Sequence, residues 1–148
     1  MAKSIWNADD RQSILSRTDA LRPGQRSHWG KMSVSQMVKH CSVAILGATG
    51  EFAVKPKHTF LSRWPMPQLL IYVLPWPKSA PTAPELIIED DGDLDERRAA
   101  LKATIESLIS RGETQKLEPH AVFGVLSAKD WGALMHRHLD HHLKQFGV

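Results

Sequence analysis

Four stretches of this chain each begin at a good helix-capping residue and continue with apolar residues three or four positions apart. That spacing places the apolar side chains on one face of an α-helix, which must be buried against another element. Asn, Ser and Asp cap a helix because the side-chain oxygen accepts a hydrogen bond from the first turn, and Ser33 to Gln36 has capping-box spacing. The predicted helices run from Ala8 to Leu21, from Ser33 to Gly47–Gly50, from Asp93 to Gly112 and from Ser127 to about Phe146.

The connection between the second and third predicted helices is long and rich in proline. Seven of the nine prolines lie between Glu51 and Pro84, where they interrupt any long helix. We expect at most a short helix, in the second half of Phe60–Leu74, and a crossover that packs over helix ends. A membrane-interface role for the part between Trp64 and Trp76 is the less favoured alternative. The pattern predicts an all-α fold, a four-helix bundle with one long crossover.

The composition of the chain limits the classes of protein to which it can belong. A chain of 148 residues with 42% hydrophobic and 24% charged residues is expected to form one domain over residues 1–148. The longest apolar run, Leu69–Leu74, is too short to cross a bilayer, and the N-terminus lacks the apolar core of a signal peptide. The lone Cys41 excludes an intrachain disulfide, which agrees with a cytoplasmic location. The net charge of +3 is scattered among acidic residues, so we expect neither nucleic-acid nor membrane binding.

The last predicted helix carries a cluster of histidines. The segment His136–His142 holds four of the eight histidines in the chain. At roughly 100° per residue, His138 and His142 fall within one apolar stripe, whereas His136 and His141 fall on opposite flanks of it. We therefore expect His138 and His142 to face the interior, and we expect His136 and His141 to be solvated or peripheral.

Two inward histidines one turn apart are half of a metal site. The rings would repel if both were protonated, and a divalent ion takes one nitrogen from each and keeps both neutral. His40 lies at the edge of the apolar arc of the second helix, so it is the candidate third ligand. Three histidines leave a coordination position open, as in catalytic sites. The alternative is that these are ordinary histidines of a histidine-rich chain, since His-x-x-x-His alone is a weak signal.

Other residues carry weaker signals. His120 is a candidate for substrate contact or for support of a metal ligand, and a loop-anchoring hydrogen bond is the equal alternative. Cys41 adjoins His40 but lies about 100° around the helix, so we interpret it as a small core residue. His28 and His58 have no partner that the sequence reveals. Neither a Gly-x-Ser-x-Gly elbow nor a glycine-rich phosphate loop is present.

Two segments of the chain resemble the DinB/YfiT-like superfamily. Trp29–His40 is similar to the entry into its second helix, with an aromatic residue, a polar cap, a Gln-Met pair and an inward histidine. His138–Gln145 is similar to its last-helix motif, in which one histidine is followed four positions later by another and then by glutamine. The stretch from His120 through Asp130-Trp131-Gly132 to the final histidines resembles an uncharacterised bacterial branch. The resemblance covers both ends of the chain and little of the proline-rich middle.

The resemblance implies an up-down-down-up four-helix bundle that binds a divalent metal, often nickel or zinc, on three histidines. These correspond to His40, His138 and His142, the same three residues that the helical phase selects. Characterised members include transferases and isomerases that use low-molecular-weight thiols, and metal-dependent hydrolases.

Three functional hypotheses follow from the sequence. The first is a metal-dependent, thiol-dependent S-transferase acting on a small molecule, in which the metal lowers the pKa of a bound thiol. Gln145 and His120 are its weaker candidates for substrate contact or ligand support. The second is a hydrolase that uses metal-bound water. The third is a metal-binding, stress-related or interaction protein without catalysis. Each hypothesis is compatible with a homodimer.

Overall fold

The computed structural model describes residues 1–148 and contains helices but no β-strand. The prediction of an all-α fold is therefore confirmed. Besides the four predicted helices there is a short one in the proline-rich connection, together with the 3-10 turns Phe60–Ser62 and Pro84–Leu86. The α-helices are α1 (Ala8–Asp19), α2 (Val34–Thr49), α3 (Met66–Tyr72), α4 (Leu94–Ser110) and α5 (Ala128–Gln145).

The predicted capping residues begin the four long helices. Each accepts a hydrogen bond from the backbone N–H three residues later; they are Asn7, Ser33, Asp93 and Ser127. At Ser33 the capping box is complete, because Gln36 Oε1 also accepts from the Ser33 N–H at 2.9 Å. α2 ends at Gly50, whose φ of 82° lies in the left-handed region that favours glycine.

The helix α3, which is part of the proline-rich connection, packs against α5. Pro67 lies in the first turn of α3, where its missing N–H removes no helical hydrogen bond. The Tyr72 hydroxyl donates to Asp130 at 2.7 Å. The Arg137 guanidinium donates to the carbonyls of Leu70 and Ile71 at 3.0 and 2.8 Å. These bonds hold the connection close to the histidines of α5.

The core lies where the long helices meet. α2 packs along α4, α1 packs against α5, and α2 also contacts α5. Every long helix contributes side chains that are almost fully buried, among them Ile14, Met37, Ile105 and Leu139. Cys41 is also in this core, as predicted, and burial raises the pKa of its thiol to about 12, so the thiol stays protonated. None of the helices combines the length and apolarity that crossing a membrane requires.

His136 is buried, with only 5% of its surface exposed, so the prediction that it would be solvated or peripheral is wrong. α1 and the N-terminal segment cover this flank of α5, where the Ile5 N–H donates to the Gly132 carbonyl at 3.0 Å. Burial lowers the pKa of His136, and Asp10 of α1 offsets only part of this shift. Helical phase failed here because it assumes one buried face, whereas α5 is covered from two sides.

Candidate metal centre

Three histidines from two helices converge at one point. His138 Nε2 lies 3.1 Å from His40 Nε2 and 3.2 Å from His142 Nε2. The three nitrogen atoms lie within 4.8 Å of one another, close enough to bind one metal ion. His40 and His142 are buried and His138 is partly exposed. The structure therefore brings together the three histidines that the sequence selected.

Hydrogen bonds on the far side of two rings orient them toward this point. His40 Nδ1 donates to the Leu86 carbonyl at 2.9 Å, and His142 Nδ1 donates to Gln145 Oε1 at 2.7 Å. A carbonyl oxygen only accepts, so each Nδ1 carries the ring proton and each Nε2 of the neutral ring keeps its lone pair. Such outer contacts are typical of metal-binding histidines, since they set both tautomer and ring direction.

Gln145 links His142 to the loop before α2. Its side chain is buried, and its Nε2 donates to the Trp29 carbonyl at 2.8 Å, which turns Oε1 toward His142. Gly30 allows this approach, because a Cβ there would lie 2.6 Å from Gln145 Nε2 and the backbone φ is +79°. Trp29 and Gly30 before α2 therefore help to orient His142 through their contacts with Gln145.

Burial keeps the three rings neutral. It lowers the pKa of His40, and it lowers the pKa of His142 to about 3, where the neighbouring His40 also contributes. The pKa of His138 is well below its usual value, first because of burial and then because His142 and His40 lie beside it. Neutral rings with free lone pairs are the form in which histidine binds metals.

The histidines open into a cavity of about 670 Å³. The segment from Trp76 to Ile88, between α3 and α4, forms much of its wall. Neither a carboxylate nor a cysteine is among the residues that line it, so the cavity offers no fourth ligand of these types. An ion held by the three histidines would have a coordination position facing this space.

His120 lies in the wall of the same cavity. Its Nδ1 accepts hydrogen bonds from the backbone N–H groups of Val122 and Phe123, both at 3.1 Å. Burial lowers its pKa to about 4. The loop-anchoring alternative foreseen for His120 is therefore confirmed, and the residue also lines the cavity, whereas contact with a substrate or support of a metal ligand stays a prediction.

His141 is half-buried rather than simply solvated. Its ring lies 5.5 Å from that of Trp29 and 5.7 Å from that of Trp76, between centroids, and it lines the cavity. It lies outside the group of three histidines. His28 and His58 are exposed and line no part of this cavity.

Sequence reasoning missed the wall of the cavity. It placed the proline-rich connection over helix ends, whereas this segment brings Trp76 and the Leu86 carbonyl to the histidines. No local pattern identifies a backbone carbonyl that accepts from a histidine on another element. The only signal in this part of the sequence was the pair Trp64 and Trp76. Trp76 lines the cavity, whereas Trp64 is 82% exposed.

A family model described as a protein of unknown function, DUF1569, matches residues 6–147. The chain belongs to the DUF1569 family. The match includes α2 and α5, which carry the three converging histidines. Membership of the DinB/YfiT-like superfamily is not part of this match and stays a prediction. Neither the curated proteins nor the solved structures include one that is significantly similar to the chain.

The buried histidines predict how the metal-free protein responds to acid. In the unfolded chain the pKa of a histidine is about 6.5, whereas in the folded protein it is about 4 for His120 and about 3 for His142. Between pH 6.5 and these values the unfolded chain binds more protons, so the free energy of unfolding falls as the pH falls. We expect a loss of at most about 2 kcal/mol per buried histidine between pH 7 and 5.

Urea unfolding at pH 7, 6 and 5 measures this loss. The exposed His58→Gln variant should reproduce the wild-type profile, and His120→Phe should show a shallower one because one proton-linked group is removed. A free energy of unfolding that stays constant from pH 7 to 5 would contradict the assignment of neutral, buried rings.

Proposed function

We propose that this protein is a metal-dependent enzyme in which His40, His138 and His142 bind one divalent ion. The observation that carries the proposal is the convergence of three Nε2 atoms, two of which have their lone pairs directed inward by hydrogen bonds at Nδ1. Imidazole ligands suit zinc and nickel among the common divalent metals. When bound, such an ion acts as a Lewis acid that lowers the pKa of a thiol or water.

The protein supplies orientation and a partly enclosed space. Gln145 and the Leu86 carbonyl hold two of the rings in place, and the segment from Trp76 to Ile88 forms one wall of the cavity. A cavity of about 670 Å³ has the size of small-molecule sites in proteins. A small organic molecule is therefore the substrate class that we propose.

The chemistry of the cavity favours a thiol over water as the nucleophile. Hydrolases that activate metal-bound water often use a carboxylate as general base, and no carboxylate lines this cavity. A thiol needs less assistance, because its pKa of about 8.5 is already close to neutral. We propose transfer to the sulfur of a low-molecular-weight thiol as the reaction class.

Several wider proposals accompany this one. We propose that residues 1–148 form one DinB/YfiT-like domain with the up-down-down-up order and a crossover between α2 and α4. Its support is the packing of α2 on α4, of α1 on α5 and of α2 on α5, together with the sequence resemblance. We also propose a cytoplasmic location, which is compatible with the single buried thiol. A homodimer stays a prediction.

We expect the protein loaded with zinc or nickel to consume thiols in the presence of electrophiles. A panel of small thiols against epoxides and activated halides, with ester and amide substrates in parallel, tests this. Thiol loss should exceed the protein-free rate at least about tenfold, and it should stop after chelation. Loss of activity through protonation of the ligands should begin well below pH 6, because burial lowers the pKa of all three imidazoles, that of His142 to about 3.

His138→Ala is the inactive control for this assay, and the exposed His58→Gln variant is the active control. Ester turnover without thiol would assign the hydrolase function instead. Metal binding without any turnover would assign the non-catalytic metal-binding role, and the enzyme proposal would be wrong.

A further inference from the structure

The loop from His120 to Gly124 holds one imidazole rigidly in the cavity wall. The His120 N–H donates to the Gly124 carbonyl at 2.8 Å, and the Gly124 N–H donates back to the His120 carbonyl at 2.9 Å. The His120 ring stacks on Phe123, with centroids 4.6 Å apart and planes at 16°, and its centroid lies 5.3 Å from that of Trp131. Packing and backbone bonds therefore hold both the ring and the loop.

The contacts of His120 assign its tautomer. Nδ1 accepts from two backbone N–H groups, so it carries a lone pair, and the proton of the neutral ring is on Nε2. The low pKa of this ring, which burial brings to about 4, keeps it neutral near pH 7. The Nε2 atom of His120 forms no hydrogen bond within the protein, and the residue lines the cavity. His120 thus presents an N–H donor rather than a basic lone pair to a molecule in the cavity.

The charged side chains that line the cavity are all positive. Lys31 and Lys78 line it and no acidic residue does. The Lys78 ammonium lies 5.2 Å from the centroid of the Trp29 ring, a cation–π distance, and the centroid of that ring lies 5.5 Å from that of His141. A cavity that offers ammonium groups and an N–H donor, with no carboxylate, suits a ligand that carries negative charge.

We propose that the cavity binds a small organic carboxylate whose oxygen accepts a hydrogen bond from His120 Nε2. This inference rests on the proposed metal site, because it concerns a molecule bound beside the three histidines. It names the substrate class, an anionic thiol or an anionic acceptor, and it makes His120 a hydrogen-bond donor rather than a general base.

Two matched thiols test the proposal on the cobalt-loaded protein, in which a sulfur-to-cobalt absorption band reports thiolate binding. The probes are 3-mercaptopropionate and 3-mercaptopropan-1-ol, which differ in the carboxylate. Wild type should prefer the carboxylate, and His120→Phe should reduce that preference by about tenfold, as expected for a hydrogen bond to a charged group. Chelation of cobalt by the carboxylate is common to all variants, so only the change in preference reports on His120.

His120→Gln, whose amide can donate from a similar position, should recover part of the preference, and His58→Gln should match wild type. Cobalt uptake equal to that of wild type establishes that each variant is folded. A second measurement needs no variant, because the ¹⁵N shifts of the His120 ring in the metal-free protein should report the Nε2–H tautomer at pH 7.

An unchanged preference in His120→Phe with normal cobalt uptake, or no preference in wild type, would overturn the inference and leave the metal site standing. The Nδ1–H tautomer would also overturn it. Failure of wild type to bind cobalt would instead overturn the metal site, and this inference with it.

Discussion

His138→Ala is expected to abolish stoichiometric metal binding. His138 Nε2 lies between the other two ligand candidates, 3.1 Å from His40 Nε2 and 3.2 Å from His142 Nε2, so its loss leaves two nitrogens without the third. Elemental analysis of untagged protein should give about one metal per chain in wild type and less than about a tenth of that in the variant. The loss of affinity should exceed the 10- to 100-fold typical of supporting residues.

His141→Ala is the matched control, since the same helix carries it and it lies outside the group of three. Its metal content should equal that of wild type. His136→Ala should also retain the metal, but it should destabilise the protein more than an exposed substitution would, because the ring is buried. Full metal occupancy in His138→Ala would remove His138 from the ligand set.

Gln145→Leu is expected to weaken metal binding by about 10- to 100-fold. The substitution places an apolar side chain of similar size in the buried position and removes the acceptor for the His142 Nδ1–H, whose nitrogen lies 2.7 Å from Gln145 Oε1. It also removes the donor to the Trp29 carbonyl, so the ring and the loop both lose a fixed partner. Competition with a chelator of known affinity measures the change.

Gln145→Glu separates these two contacts. A carboxylate still accepts from His142 but cannot donate to Trp29, so this variant should bind metal more tightly than Gln145→Leu. Equal, wild-type affinity in both variants would show that Gln145 only packs. Equal loss in both would place its effect in the contact with Trp29.

Local rules predicted one half of the candidate centre. His138 and His142 share a face because residues four apart on any α-helix do so, whatever surrounds the helix. The caps at Ser33 and Ser127 were equally predictable, since a cap depends on a side chain and an N–H three residues later.

Sequence pattern was less informative where a residue's surroundings come from distant parts of the chain. His40 could be proposed as a partner from its helical phase and from the resemblance, but not its bond to the Leu86 carbonyl, 46 positions away. The tautomer of His120 could not be predicted either, because it depends on how the loop from His120 to Gly124 closes. The path of the proline-rich connection was the least predictable feature, since prolines indicate irregular backbone but not where that backbone runs.

The sequence by itself determined the helices, their capped ends and the face of α5 that carries two histidines, because these depend on backbone geometry and contacts within one turn. The tertiary structure alone decided that His136 is buried and that Gln145 forms hydrogen bonds with both His142 and Trp29. It also decided that the segment from Trp76 to Ile88 forms a wall of the cavity. Each of these depends on which surfaces meet when the helices pack, and helical periodicity carries no information about contacts between residues far apart in the chain.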